Sequence, residues 1–189
     1  PDGTNINAGC GARHPEHVAA VARQSRADIG IAVDGDADRV VLVDERGEIV
    51  DGEQVLAMCA LDMKRRQALS RDAVVGTVMS NLGLERALAG MGLALVRADV
   101  GDRYVVEAML REKINLGGEQ SGHIVFLDHN TTGDGLMTAL QTLAIMRRTG
   151  RPLSELVSDI ERFPQVLINF RVAEKRPLES LPTVHAAVA

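Results

Sequence analysis

IGIAVDGDADRVVLVD, residues 29–44, sets Asp34, Asp36 and Asp38 at alternating positions between two apolar runs. Carboxylates a few ångströms apart repel, so the chain must compensate for them somewhere. The apolar flanks read as strands, which makes DGDADR a tight loop at a strand end. Gly35 and Ala37 are small, so the backbone can curl until the three carboxylates converge. A cluster of that kind suits a hard divalent cation, which takes oxygen ligands. Arg39 can offset part of the charge or reach a phosphate.

Three other readings compete with this one. A calcium EF-hand places acidic residues at loop positions one, three, five and twelve and glycine at six. Glu45 fills position twelve counted from Asp34, but Arg39 stands at position six and the flanks are strands, so that reading fails. An aspartate-nucleophile phosphatase stays open, although the lysines Lys64 and Lys113 fall at or near helix ends on the surface pattern. A solvated acidic turn capped by an arginine also stays open.

The rest of the chain is mostly alternation. PEHVAAVARQS has helical spacing, IGIAV reads as a short buried strand, and RVVLVD and EIV pair around the turn ERG. Helices are expected over EQVLAMCALDMKRR, LGLERALAG (Asn81 as its cap, Gly90 at its end), RYVVEAMLREK, DGLMTALQTLAIMRR and PLSELVSDIE. Strands are expected over AVVGTV, LALVRA, INLGG and HIVFLD. Strand–helix alternation argues an α/β protein of layered sheet and helix. The expected organisation is part of one domain in 1–50, a second domain in 51–162, and the start of a third in 163–189, with QVLINFRV as its first strand. The chain opens without methionine and closes without a stop signal, as an excised piece of something longer would.

Composition narrows the partners. Hydrophobic residues make up 46% of 189, enough for a core, and the net charge is −5 with only 2% aromatics. Neither a basic footprint nor a stacking platform is present, so nucleic acid is not an expected partner. No apolar run has transmembrane length and no signal peptide opens the chain, so no membrane partner is expected and the location reads as cytoplasmic. Cys10 and Cys59 do not make a disulfide framework and read as buried free thiols.

LGGEQSGHIVF, residues 116–126, is the second unusual stretch. Gly117, Gly118 and Gly122 let the backbone pass close to a ligand. Glu119 can accept from two adjacent hydroxyls, Ser121 adds a hydroxyl, and His123 brings an imidazole, a side chain suited to acid/base work. That set suits a sugar. An ordinary loop whose His123 satisfies a core hydrogen bond explains it equally well.

DGDADR followed by GGEQSGH resembles the α-D-phosphohexomutase superfamily, and PDGTNINAGCG, VGTVMSNLGLE, VGDRYV and NTTGDGL extend the resemblance along essentially the whole chain toward its amino-sugar members. The resemblance implies an enzyme that interconverts glucosamine 6-phosphate and glucosamine 1-phosphate through a phosphoserine and a bisphosphate intermediate. It implies Mg2+ held by Asp34, Asp36 and Asp38, with Arg39 beside the metal and His123 as an acid/base. Gly118, Glu119 and Ser121 would hold the sugar. Asp102 and Arg103 would lie on a further sugar-facing loop, for which a capped helix N-terminus is an equal alternative. The expected ligand is a phosphorylated amino sugar, and the parent protein is a candidate homodimer. Phosphomannomutase or phosphoglucomutase activity, or a non-catalytic sugar-phosphate-binding module, are the alternatives.

One departure concerns catalysis. No serine here lies in the S-A-S-H-N-P-like loop that carries the phosphate in that superfamily, and its R-x-S-G-T-E-P-like phosphate-binding loop is also missing. The expectation is therefore an active parent, an inactive 189-residue chain, and weak magnesium binding by the chain alone.

Overall fold

The structure is a computed structural model and describes residues 3–168, 171, 177 and 180–188. It opens with α1 (Glu16–Ser25), whose last turn closes on Arg26 in the left-handed region. Three antiparallel strands come next: β1 (Gly30–Val33), β2 (Val40–Val43) and β3 (Ile49–Val50), in spatial order β1-β2-β3. Every residue of the central strand β2 is buried, because each of its faces has a cover. Val43 packs on Ala19 and Ala22 of α1, while Val40 and Leu42 join the main hydrophobic cluster on the other side. That is the period-two split of a strand between two layers. β1 departs from the fully buried strand expected here. It lies at the sheet edge, and Ile31 and Val33 remain more than a third exposed.

After β3 the chain enters α2 (Gly52–Arg65) through a capping box. The Asp51 carboxylate accepts from the Glu53 and Gln54 amides, and the Gln54 side chain accepts from the Asp51 amide. The short 3-10 turn Ser70–Asp72 leads into β4 (Ala73–Thr77), then α3 (Leu82–Gly90), β5 (Ala94–Ala98), α4 (Asp102–Glu112), β6 (Leu116–Gly118) and β7 (Ile124–Phe126). These strands form a second sheet in the order β5-β4-β6-β7, parallel from β5 to β6, with β7 antiparallel at the end. The helices α5 (Gly135–Thr149), α6 (Leu153–Leu156) and α7 (Pro182–Val188) complete the described elements.

Alternate residues of β4 divide the layers. Val74 joins a cluster with Leu56, Leu84 and Leu88 from α2 and α3, whereas Ala73 and Val75 meet Val105, Ala108 and Met109 of α4 on the opposite face. The second sheet is thus sandwiched between helices. The larger cluster also runs from Val40, Leu42 and Val50 into α2 and α5, so one core is continuous across residue 50.

The helix over LGLERALAG runs from Leu82 to Gly90 with Asn81 as its cap, as expected, and the left-handed residue that follows is Gly92 at φ +67°. Two expectations need adjustment. Cys59 is buried and burial pushes its thiol up to about 12, but Cys10 is only half-buried. For the strand expected over QVLINFRV, residues 165–168 carry no regular structure, and most of the remainder lies outside the described residues.

Residues 161–165 leave α6 and tie back onto α3. Asn81 caps α3 by accepting from the Gly83 amide, and its side-chain amide also brackets Phe163, accepting from the amide at 3.0 Å and donating to the carbonyl at 2.8 Å. The Asn81 amide is itself held by both oxygens of buried Glu53, at 2.9 and 3.2 Å. Burial is the main reason the Glu53 carboxyl stands above its ordinary value near 4.5, and the Asn81 hydrogen bond only partly opposes it. A carboxyl raised in the folded state stabilises the fold below about pH 4.5 and loses that contribution as pH rises through the folded value. Glu53→Gln, which stays neutral, is therefore expected to match the parent in urea midpoint near pH 4 and to gain on it progressively above pH 4.5. A constant difference across that range excludes the effect.

Candidate functional site

In the second sheet the chain passes from β4 to β5 on one side and then crosses to β6 on the other. The crevice at the carboxyl ends of β4 and β6 is the topological switch point where open α/β sheets bind ligands. Two segments emerge there: Val78–Asn81 after β4, and the glycine loop Glu119–His123 between β6 and β7. A cleft of about 490 Å3 opens beside them, lined by Met79, Gln120, Arg162, Phe163, Pro164, Gln165 and Leu167.

The glycine loop is held from three sides. Across its mouth the Glu119 amide donates to the His123 carbonyl, and the Gly122 amide donates back to the Glu119 carbonyl. From below, the first amide of α2, at Gly52, donates to the Gln120 carbonyl. From the DGDADR side, the Val40 amide donates to the Gly122 carbonyl at 3.1 Å. Gly122 sits at φ +90°, and a methyl there would lie 2.0 Å from the Val40 carbonyl oxygen, so only glycine permits this docking.

The three aspartates converge as the spacing suggests. One ligand oxygen from each of Asp34, Asp36 and Asp38 lies within 4.8 Å of the others. Ala37, in the left-handed region at φ 59°, turns the loop back on itself. Asp34 is buried and accepts from the Arg39 amide at 3.2 Å and from Arg39 Nε at 2.8 Å, while the same Nε reaches Asp38 at 3.3 Å. Partial burial works against the charge on Arg39, yet Asp34 and Asp38 together hold its guanidinium above the ordinary value. Further compensation comes from α5. Its first amide, at Gly135, donates to the Ala37 carbonyl at 2.8 Å, which seats the acidic loop on the electropositive end of a helix. An oxygen-only donor set of this charge fits a hard divalent cation, and among the described residues it is the one cluster with that geometry.

His123 joins the two loops. Its Nδ1 lies 3.1 Å from Asp38 Oδ2 and its Nε2 accepts from the Gly133 amide at 3.2 Å. With 2% of its surface exposed and both nitrogens engaged, it is not presented to a ligand as the acid/base expectation required. The core hydrogen-bonding alternative describes its surroundings better. Glu119 is half-buried, and its Oε1 accepts from the Gly101 amide at 3.1 Å. Ser121 is exposed at the loop tip, and Gly118 is buried at the end of β6. Of the VGDRYV stretch only Gly101 touches the site. Asp102 starts α4 and accepts from the Arg103 amide, and Arg103 is exposed and paired with Glu107. Both residues lie at a helix start, as the alternative reading has it, but Asp102 does not cap it: the N-cap is Gly101, without a side-chain cap.

Two competing readings weaken here. Glu45 bonds Ser154 at the start of α6 instead of serving an EF-hand. Lys64 donates to the Met91 and Gly92 carbonyls beyond α3, away from the aspartate loop. Sequence reasoning passed over Gly133 and Gly135, which carry no functional group of their own. Their signal was the NTTGDGL stretch, whose glycines supply the amides that seat His123 and Ala37.

This fold and this pair of loops define an α/β protein with a carboxylate metal cluster at the edge of a ligand crevice. The family model described as phosphoglucomutase/phosphomannomutase, alpha/beta/alpha domain III matches residues 51–163, and the chain belongs to that family, within the phosphohexomutase superfamily. Among its relatives, the phosphoglucosamine mutase of Anaeromyxobacter sp. (strain Fw109-5) is 59% identical over 184 residues, covering 97% of this chain and 39% of that protein. The phosphoglucosamine mutase of Geobacter metallireducens (strain ATCC 53774 / DSM 7210 / GS-15) is 55% identical over 188 residues, covering 100% and 42%. The crystal structure of a putative phosphomannomutase from Thermus thermophilus superposes with a TM-score of 0.70 at 28% identity, over 78% of this chain and 34% of that one. The chain therefore spans about two-fifths of the length of the curated relatives it matches. Among the described residues no helix is long and apolar enough to cross a membrane.

The close approach at Gly122 yields a direct expectation. Gly122→Ala should cost about 2–3 kcal/mol of stability, read as a lower urea midpoint, because it combines a left-handed alanine with a clash against a backbone carbonyl. A midpoint unchanged from the parent would mean that the two loops do not dock this closely.

Proposed function

We propose that the protein to which this chain belongs interconverts glucosamine 6-phosphate and glucosamine 1-phosphate by phosphoryl transfer, with Mg2+ bound by Asp34, Asp36 and Asp38. The observation that carries the reading is the union of a three-carboxylate loop with a glycine loop bearing Glu119 and Ser121, joined by Val40–Gly122 and Asp38–His123 contacts. Identities of 55–59% to relatives named phosphoglucosamine mutase support the amino sugar over other hexose phosphates in this reading.

When bound, the metal neutralises charge on the transferring phosphoryl group, the main task in a reaction where catalysis is positioning and electrostatics. Arg39 fixes two of the aspartates and adds positive charge beside them. Glu119 accepts from sugar hydroxyls while the Gly101 amide holds its carboxylate in place, and Ser121 contributes a hydroxyl from the loop tip. Gln120 and Met79 border the crevice that receives the sugar. The phosphoserine that carries the phosphoryl group belongs outside these 189 residues in this reading, so the chain alone is silent.

The test is conversion of glucosamine 6-phosphate by the full-length protein and by this chain, with magnesium and a trace of sugar bisphosphate. The full-length protein is expected to turn over, to stop on chelation of magnesium, and to lose roughly 100-fold in kcat/KM with Glu119→Ala, about 2.7 kcal/mol of transition-state binding. A silent full-length protein, or one that prefers mannose or glucose phosphates, rejects the amino-sugar assignment. Turnover by the isolated chain rejects the external phosphoserine.

A further inference from the structure

We infer that His123 is a positioning residue: as the Nδ1–H tautomer, it fixes the Asp38 carboxylate in the orientation the metal cluster needs. The inference rests on the metal reading of the aspartate cluster and concerns what keeps that cluster assembled.

The partners dictate the tautomer. A backbone amide can only donate, so the Gly133 N–H at 3.2 Å requires a bare lone pair on His123 Nε2. The single proton of the neutral ring is then on Nδ1, where it donates to Asp38 Oδ2 at 3.1 Å. The ring has no freedom to do otherwise. It is 2% exposed, and a methyl at Gly133 would lie 2.4–2.6 Å from its Cε1, Nδ1 and Nε2 atoms. Glycine at 133 is therefore the condition for the ring to reach its place.

Asp38 needs such a tether more than Asp34 does. The Asp34 side chain is 2% exposed and accepts both the amide and the Nε of Arg39, whereas the Asp38 side chain is 32% exposed and shares that Nε at the longer distance of 3.3 Å. The hydrogen bond from His123 leaves lone pairs on both Asp38 oxygens for a cation while removing the rotations that would carry them off. An outer hydrogen bond that orients a ligand in this way typically changes metal affinity by about 10–100-fold. The same contact spans from the acidic loop to the glycine loop, so one imidazole adds a side-chain link to the Val40–Gly122 backbone bond that joins them.

The test uses the full-length protein and Mn2+ as the probe, following the electron paramagnetic resonance of the free ion, with Mg2+ competition to report the natural cation. His123→Asn keeps an amide donor close to the Nδ1 position, whereas His123→Ala and His123→Gln do not. The expected pattern is binding by the parent, affinity within a few-fold for His123→Asn, and a loss of about tenfold or more for the other two. Imidazole 15N spectra of the parent without metal should show a protonated Nδ1 and a bare Nε2. Equal affinity in all variants, a loss in His123→Asn as large as in His123→Ala, or an Nε2–H ring overturns the inference and leaves the metal reading intact. No binding of Mn2+ or Mg2+ by the parent overturns the metal reading itself, and the inference with it.

Discussion

Three carboxylates within 4.8 Å of one another are a concentration of negative charge that no short loop holds by itself. The neighbouring structure answers that charge. Arg39 bridges two of the three, the N-terminal end of α5 sits beneath the loop at Ala37, and His123 reaches Asp38 from the other side. Each of these partners comes from a different part of the chain, so the acidic loop acts as the point where the antiparallel sheet, α5 and the β6–β7 loop are forced into register. The Glu119 loop inherits its position from that docking through Val40 and Gly122.

The layering serves the same end. β2 is buried on both faces because α1 covers one and the large cluster covers the other, which makes it a rigid base for the loop at its start. β4 and β6 deliver their carboxyl ends to a common crevice, and α2 begins just below, with its first amide holding Gln120. Backbone amides at Gly52, Gly101, Gly133 and Gly135 do most of the fixing. They are well suited to it, since an amide has one direction and no rotamers to lose.

The chain leaves this assembly along a second anchored path. Asn81 brackets Phe163 while capping α3, and Arg86 lies over the Phe163 ring at 4.7 Å. Residues 161–165 are thereby pinned at the rim of the same crevice.

Much of this was legible before folding was considered. The period of the apolar residues marks α2, α5, β2 and β4; Asn81 announces a helix start; and DGDADR with GGEQSGH points to a metal and a sugar. Those are local signals, carried by neighbours in sequence, and local chemistry is enough to read them. What tertiary structure alone decided is how the signals are joined. Spacing identifies His123 as a titratable group in a glycine loop, but only the fold places Gly133 on one nitrogen and Asp38 on the other and thereby makes it a holder of another residue. Sequence also offered Arg103 as a sugar-facing residue, yet α4 turns it out to Glu107 and solvent. Which donor meets which acceptor depends on backbone paths far apart in the chain, and a sequence pattern contains the groups without the distances between them.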